Sequence, residues 1–317
     1  MLPMVEKKIT DIVIVGAGPA GLTASIYAAR AGLSAVVLEE LGAGGQLLSI
    51  DNLENYPGFP DGINGFEAAY SLRLQAERFG AVIENDKAIG ISLGEGNRGG
   101  ARFVVQGTQG TYPARSVIIA TGAKPVPLPV DGAASLVGKG ISYCATCDGN
   151  FFRNKDVIVV GGGDSAVADV VYLHRVAQTV HLVHRRGELK ASPWYAKQLK
   201  GMENLVVHWN SIVSDVLQEE GRVSGARLKS VLTGETSTIR AQGIFAAIGT
   251  HPDTAWLDGL VELDGSGYIV ADEGGATSVP GLFAAGDVRT TPLRQVVTAV
   301  SDGALAAEAA ASFLSSC

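Results

Sequence analysis

The sequence predicts an α/β protein built from two Rossmann-like dinucleotide-binding units, and three observations carry that expectation. A glycine-rich turn, Gly16-Ala17-Gly18-Pro19-Ala20-Gly21, follows a β-branched run near the start of the chain. A second turn, Gly161-Gly162-Gly163-Asp164-Ser165-Ala166, follows a similar run near its middle. Gly16 and Glu39 are 23 residues apart, and the same interval separates Gly161 from His184. A constant offset between a glycine turn and the end of the next strand marks a repeated βαβ unit.

The elements follow in order. Asp11-Ile12-Val13-Ile14-Val15 reads as a buried parallel strand because its apolar run is continuous rather than alternating. The alanine-rich stretch from Ala20 to Ala31 favours helix, and Gly32 ends it. Ser34 to Leu38 is the second strand. The pattern returns at Asp156 to Val160, in a helix through Arg175, and in a strand from Thr179 to Val183. Ser116 to Gly122 and Gly243 to Gly249 are similar strand-to-glycine segments, followed by Pro125, Pro127 and Pro129 in one case and Pro252 in the other. They read as paired crossings where the chain leaves and re-enters its first domain. Segments 82–113 and 204–240 read as strand-rich connections. Gly281 to Asp287 is a strand ending in an acidic glycine turn, with a helix from about Arg294-Gln295 to Phe313. The expected fold is therefore three-layer, with one domain over 1–122 and 251–317 and a second, 125–248, inserted into it.

Composition narrows the function. At 317 residues the chain has the size of about two domains. Hydrophobic residues make up 46% and charged residues 18%, a compact rather than a disordered balance. A formal net charge of −7 argues against a general nucleic-acid surface. No apolar run is read as approaching the roughly 18 residues of a membrane span, and Met1 to Thr10 shows no apolar signal core. Three cysteines are no disulfide framework, so the expected compartment is reducing and cytoplasmic. Cys317 reads as an idle exposed thiol.

The first glycine turn opens a helix, whose free N–H groups favour a pyrophosphate. Glu39 stands where a carboxylate accepts hydrogen bonds from a ribose diol. The loop alone leaves the nucleotide open between FAD and NAD. The second turn ends in Ala166 rather than a third glycine, and its strand ends in His184, Arg185 and Arg186, with Lys190 just beyond. A carboxylate there would repel a 2′-phosphate, whereas guanidinium groups grip one in a charge-assisted fork. The bland alternative is a solvated basic turn.

Cys144-Ala145-Thr146-Cys147-Asp148 has three readings. Structural zinc wants four ligands, and the five scattered histidines supply no partner set, so no metal is expected. Two inert buried cysteines form the second reading. A disulfide-exchange pair beside a βαβ unit fits best. Asp148 adjoins the second sulfur and is placed to shuttle a proton, or more simply to cap a turn before Gly149. A chain with two nucleotides and one dithiol can pass two electrons from one nucleotide to the other and on to a disulfide.

At these residues the chain resembles the low-molecular-weight thioredoxin reductases over nearly its whole length. The match takes in the first glycine turn, Gly44-Gly45-Gln46-Leu47, Glu54-Asn55-Tyr56-Pro57-Gly58, Ala120-Thr121-Gly122, Cys144 to Gly149, Gly161 to Ala166, His184-Arg185-Arg186, Gly281 to Val288 and Arg294-Gln295. The resemblance implies FAD on the discontinuous domain, NADPH on the inserted one, and a homodimer. It implies that Gly16, Gly18, Ala20, Gly21, Glu39, Gly45, Gln46, Asn55, Ala120, Thr121, Gly122, Gly286, Asp287, Arg294 and Gln295 hold FAD. Gly161, Gly163, Asp164, Ser165 and Ala166 would hold the NADPH pyrophosphate, and His184, Arg185, Arg186 and Lys190 its 2′-phosphate. Cys147 would sit against the flavin, Cys144 would attack the protein substrate, and Asp148 would be the acid/base. Lys190 departs from the family's usual arginine, which keeps the charge but loses the fork. Glu39 adds an acid that several members lack.

The expected activity is thioredoxin-disulfide reduction, with electrons passing from NADPH to FAD, to the Cys144–Cys147 disulfide, and to a thioredoxin-like protein. The cysteines and the second glycine turn share one inserted domain. One rigid pose would not serve both at the flavin while exposing Cys144, so rotation is expected about crossings near Ala123–Pro127 and Gly249–Pro252. An NADPH-independent dithiol oxidase is the first rival, and His184-Arg185-Arg186 argue against it. A flavoprotein partner of a peroxidase would carry an N-terminal disulfide domain, for which Met1 to Thr10 leave no room. A redox-sensing binding module would oxidise NADPH only stoichiometrically.

Overall fold

Ile12, Val13, Ile14 and Val15 are all buried, as a parallel strand covered on both faces requires. In the computed structural model, described over residues 5–6, 8–50, 52–94, 100–257 and 259–316, the chain divides into two units. One is Met1–Lys124 with His251–Cys317, and the other is Pro125–Thr250. Cys317 lies outside the described residues.

The first unit begins with β1 (Val5–Glu6), β2 (Thr10–Val15), α1 (Pro19–Arg30), β3 (Ala35–Glu39), α2 (Gly65–Arg78), β4 (Val82–Asn85), β5 (Ala88–Leu93), β6 (Phe103–Gly107) and β7 (Gly110–Ile119). The chain leaves it through β8 (Ala123–Pro125). The strand order is β4-β3-β2-β7-β6-β5. β7 serves two purposes along its length. Its first half pairs antiparallel with β6, and its second half pairs parallel with β2. One face of the parallel sheet, with Ile12, Ile14 and Ile118, packs on α1. The other, with Val13, Val15, Val117 and Ile119, packs on Phe103, Val105 and Tyr112. Helices, parallel sheet and antiparallel sheet make the three layers.

The second unit repeats the plan with β9 (Ile141–Ser142), α3 (Ala145–Asp148), β10 (Asp156–Gly161), α4 (Asp164–His174), β11 (Thr179–Val183), α5 (Pro193–Gln198), β12 (Leu205–His208), β13 (Ser211–Glu219), β14 (Arg222–Ser230), β15 (Thr236–Arg240) and β16 (Gly243–Ala247). Its parallel sheet runs β12-β11-β10-β16-β9, beside a β13-β14-β15 meander. Val157, Val159 and Phe245 pack with Ala166 and Val170 of α4. Ile158, Val160 and Ile244 pack with Val216, Leu228 and Ile239 of the meander. Gly161 stands beside Ala247, Val160 beside Val183, and Phe245 beside Ser142. The glycine turn, the basic strand end and the cysteine pair therefore all leave one carboxyl edge, where ligands of such sheets bind.

The chain re-enters the first unit through β17 (Thr250–Pro252) and completes it with β18 (Leu282–Ala284) and α6 (Val296–Ser316). β18 pairs parallel with β7, setting Ala284 beside Ile119. One sequence expectation is corrected here. α6 is 21 residues long with a mean hydropathy of 1.2, long and apolar enough to cross a membrane by length and composition. Its alanines serve helix packing, with Ala299, Ala306, Ala307 and Ala310 buried in the same core as α1.

Candidate functional site

In the first unit the residues singled out from the sequence converge on the carboxyl edge of the sheet. Gly16 has φ +104°, a conformation open to glycine, and a β-carbon there would collide with the Ala120 carbonyl and crowd Thr121. Gly44 N–H donates to the Ala17 carbonyl at 2.8 Å, bringing Gly45 against Gly18. Glu39 Oε2 accepts the Ala17 N–H at 2.8 Å, and Oε1 accepts the Leu41 N–H at 3.1 Å. Oε1 also accepts the Gly42 N–H at 3.5 Å, so the acid expected to meet a ribose closes the glycine loop, and Oε2 keeps a second lone pair.

Residues far apart in sequence finish this edge. Asn55 Nδ2 donates to Gln295 Oε1 at 2.8 Å, and Gln46 Nε2 donates to the Ala123 carbonyl at 3.2 Å. Burial raises the Asp287 carboxyl, the Arg294 charge opposes this, and Asp302 adds to it. The Gln46 side chain favours the charged form of Asp287. The Arg294 guanidinium lies 3.9 Å from the Tyr268 ring centre, a cation–π contact. Thr121 Oγ1 and Arg294 Nε are buried without a hydrogen-bond partner among the described residues. Buried polar atoms are normally satisfied, so a loop fit for close backbone approach and two orphaned polar atoms suit a polar ligand such as a dinucleotide.

In the second unit, Lys190 and Ala191 N–H groups both donate to the Gly162 carbonyl, at 2.7 and 3.0 Å. Ser192 N–H donates to Asp164 Oδ1 at 2.6 Å. The loop after the basic strand end is thereby stitched to the glycine turn. Arg185 and Arg186 are exposed and make no salt bridge among the described residues. His184 is different. It is buried, its ring lies against Gly162 and makes an edge contact with Trp209, and its Nε2 has no partner among the described residues. Burial lowers its pKa, and the neighbouring Arg186 and Arg185 charges push the same way. A neutral ring makes the two arginines and Lys190 the cationic groups of this strand end. The orphaned Nε2 and the unpaired guanidiniums fit a phosphorylated nucleotide.

The cysteine pair follows β9 directly. Cys144 and Cys147 form a disulfide with their α-carbons 5.4 Å apart. Cys144 caps the short α3, its Sγ accepting the Cys147 N–H at 3.1 Å and lying 3.4 Å from Thr146 Oγ1. Cys144 is half-buried and Cys147 exposed. Asp148 closes α3, and its Oδ2 accepts the Ser142 hydroxyl at 2.7 Å.

Three contributors escaped the sequence reading. Ser142 lies two residues before the pair and carries no motif. Tyr268 sits in an irregular segment. Asp302 accepts the Gly286 N–H through Oδ2 at 3.1 Å and pairs with buried Arg289 through Oδ1 at 3.4 Å. An aspartate inside an alanine-rich apolar helix was the available signal.

Known proteins agree with this geometry. A family model described as pyridine nucleotide-disulphide oxidoreductase matches residues 10–303. The chain is 46% identical to a Treponema pallidum protein named thioredoxin reductase over 96% of its own length and 97% of the relative's. It is 42% identical to a thioredoxin reductase of Listeria monocytogenes, over 98% and 95%. The crystal structure of Lactococcus lactis thioredoxin reductase superposes with a TM-score of 0.92 at 35% identity, covering 97% of this chain and 100% of that one. On these matches, the chain belongs to the pyridine nucleotide-disulphide oxidoreductase family.

Proposed function

We propose that this protein is an NADPH-dependent thioredoxin-disulfide reductase, with FAD held by the first unit and NADPH by the second. The observation that carries the reading is the Cys144–Cys147 disulfide, which leaves the same sheet edge as a glycine turn flanked by unpaired arginines. Full-length relatives named for this activity support it. Gln46, Asn55, Asp287 and Gln295 would hold FAD by hydrogen bonds beside the Gly16–Gly21 turn. Ser165 and Ala166 would face the NADPH pyrophosphate, and Arg185, Arg186 and Lys190 its 2′-phosphate. The chemistry FAD supplies when bound is acceptance of a hydride equivalent and its release to a disulfide as an electron pair.

The chain's own residues perform the exchange with the protein substrate. In the dithiol form, the Cys147 N–H and the Thr146 hydroxyl stabilise Cys144 sulfur as thiolate. That thiolate attacks one sulfur of the substrate disulfide, forming a mixed disulfide, and Asp148 gives a proton to the departing sulfur. Cys147 passes its proton to Asp148 and attacks Cys144 Sγ, which releases the second substrate sulfur. Asp148 hands that proton to this sulfur as the ring closes, and the substrate leaves as a dithiol carrying two electrons. The same reading requires the units to rotate about the crossings near Ala123–Pro127 and Gly249–Pro252, and it assigns a cytoplasmic homodimer.

The deciding experiment measures NADPH and NADH oxidation with a panel of thioredoxin-like proteins, for the native protein and Cys144→Ser. NADPH-driven turnover lost in the variant is expected. Turnover that persists without Cys144, or that never exceeds one equivalent of NADPH, overturns the reading.

A further inference from the structure

We propose that Ser142 is a positioning residue for the thiol–disulfide exchange, fixing the Asp148 carboxylate and the Cys144 main chain to a single oxygen. The proposal deepens the reading of Asp148 as acid/base and rests on it. Ser142 is 4% exposed and ends β9, where it pairs with Phe245 of β16. Its backbone thus belongs to the sheet rather than to the redox loop. Its Oγ lies 2.7 Å from Asp148 Oδ2 and 3.2 Å from the Cys144 carbonyl, and it accepts the Cys144 N–H at 3.1 Å. A hydroxyl has one proton, and the shorter contact, to a carboxylate, is the stronger of its two donor options.

Both capacities of this hydroxyl are therefore committed to the two residues that flank the disulfide helix. Asp148 has no other side-chain hydrogen bond among the described residues and ends a helix of four residues. Without Ser142 its carboxylate is free to turn into water. With it, Oδ2 is held and Oδ1 is left to exchange a proton with sulfur. General acid–base catalysis demands such placement, because the proton must travel within hydrogen-bond reach. No other residue described for the site ties the cysteine loop to the sheet through the acid itself.

The test is a double-mutant cycle in the FAD-loaded protein with Ser142→Ala, Asp148→Asn and the double variant. Turnover with a thioredoxin-like substrate is followed across pH, and unchanged thermal midpoints and flavin content confirm folding. Ser142→Ala should lower kcat by roughly ten- to a hundred-fold, the worth of a hydrogen bond to a charged group, with KM for the protein substrate unchanged. It should displace the pH limb that Asp148→Asn flattens. In the double variant the loss should be no larger than for Asp148→Asn alone, the signature of residues acting as one unit. Ser142→Thr, which keeps the hydroxyl, should recover most of the rate. An unchanged kcat in Ser142→Ala, or losses that multiply fully in the double variant, would overturn the proposal. A rate unaffected by Asp148→Asn would instead remove the acid/base reading beneath it.

Discussion

The imidazole of His184 occupies the space that a β-carbon on Gly162 would need. The end of one strand and the turn after another are thus packed as one piece. The paired N–H donations from Lys190 and Ala191 to the Gly162 carbonyl lock it from the other side. Gly162→Ala should force the ring out and weaken NADPH binding at least tenfold, since both the turn and the basic loop must shift. Titration of NADPH by flavin or nucleotide fluorescence measures it. Unaltered affinity would mean that the packing is incidental to the nucleotide site.

On the proposed reading the charge facing the 2′-phosphate comes from Arg185, Arg186 and Lys190, because burial lowers the His184 pKa and favours its neutral ring. Each charge-assisted hydrogen bond is worth about 1.5–3 kcal/mol, so Arg185→Ala with Arg186→Ala should raise KM for NADPH by two orders of magnitude or more. NADH, which lacks the phosphate, should be affected little. Raising the salt concentration should weaken NADPH and spare NADH, because exposed charges are screened. Equal losses for the two nucleotides would show that these guanidiniums read something else.

Asp302 couples the turn carrying Asp287 to the interior of α6. Its two oxygens hold the Gly286 N–H and buried Arg289. Asp302→Ala strands a buried guanidinium, a change that typically costs about 3–5 kcal/mol. We expect a clear fall in the thermal midpoint together with partial loss of FAD on gel filtration. A variant that keeps both would place the weight of Arg289 on its bonds to the Asp272 and Ala271 carbonyls.

Asp169 of α4 supplies a pH test. Burial pushes its carboxyl up to about 7, against the opposing bond from the Ala145 N–H. A carboxyl with a raised native pKa favours folding while protonated. Its contribution is fully present below the unfolded value of about 3.9 and is lost as pH rises towards about 7. Asp169→Asn should therefore narrow the difference in thermal midpoint between pH 5 and pH 8. The same difference in both proteins would show that the group is solvated. Asp86 behaves in the opposite sense. Burial raises its pKa, but hydrogen bonds from the Thr108 and Tyr112 hydroxyls and from backbone N–H groups outweigh it and hold the carboxylate charged.

Much of the site was legible before any coordinates. The runs Asp11 to Val15 and Asp156 to Val160 form strands because β-branched residues favour the pleat, and each is followed by a turn that opens on a glycine of positive φ, Gly16 or Gly161. The helix at Ala20 and the strand at Thr179 came from equally local signals. The apolarity of α6 is hidden in the sequence because Asp302 and Glu308 break it into short runs. His184 read as a phosphate ligand by its place beside two arginines. Its burial depends on Gly162 and Trp209, which lie in other segments.

The sequence by itself determined the two βαβ units, the two nucleotide turns and the spacing of the redox cysteines. Strand propensity, glycine turns and a three-residue ring are all written within a few neighbouring positions. Only the tertiary structure decided that Ser142 holds Asp148, that Asp302 holds Gly286, and that Asn55 meets Gln295 across 240 residues of chain. Side chains so distant or so unremarkable in sequence meet because strand order and register within each unit bring their loops to the edge of that unit's own sheet. That order is fixed by burying both sheet faces at once, which no local stretch of residues encodes.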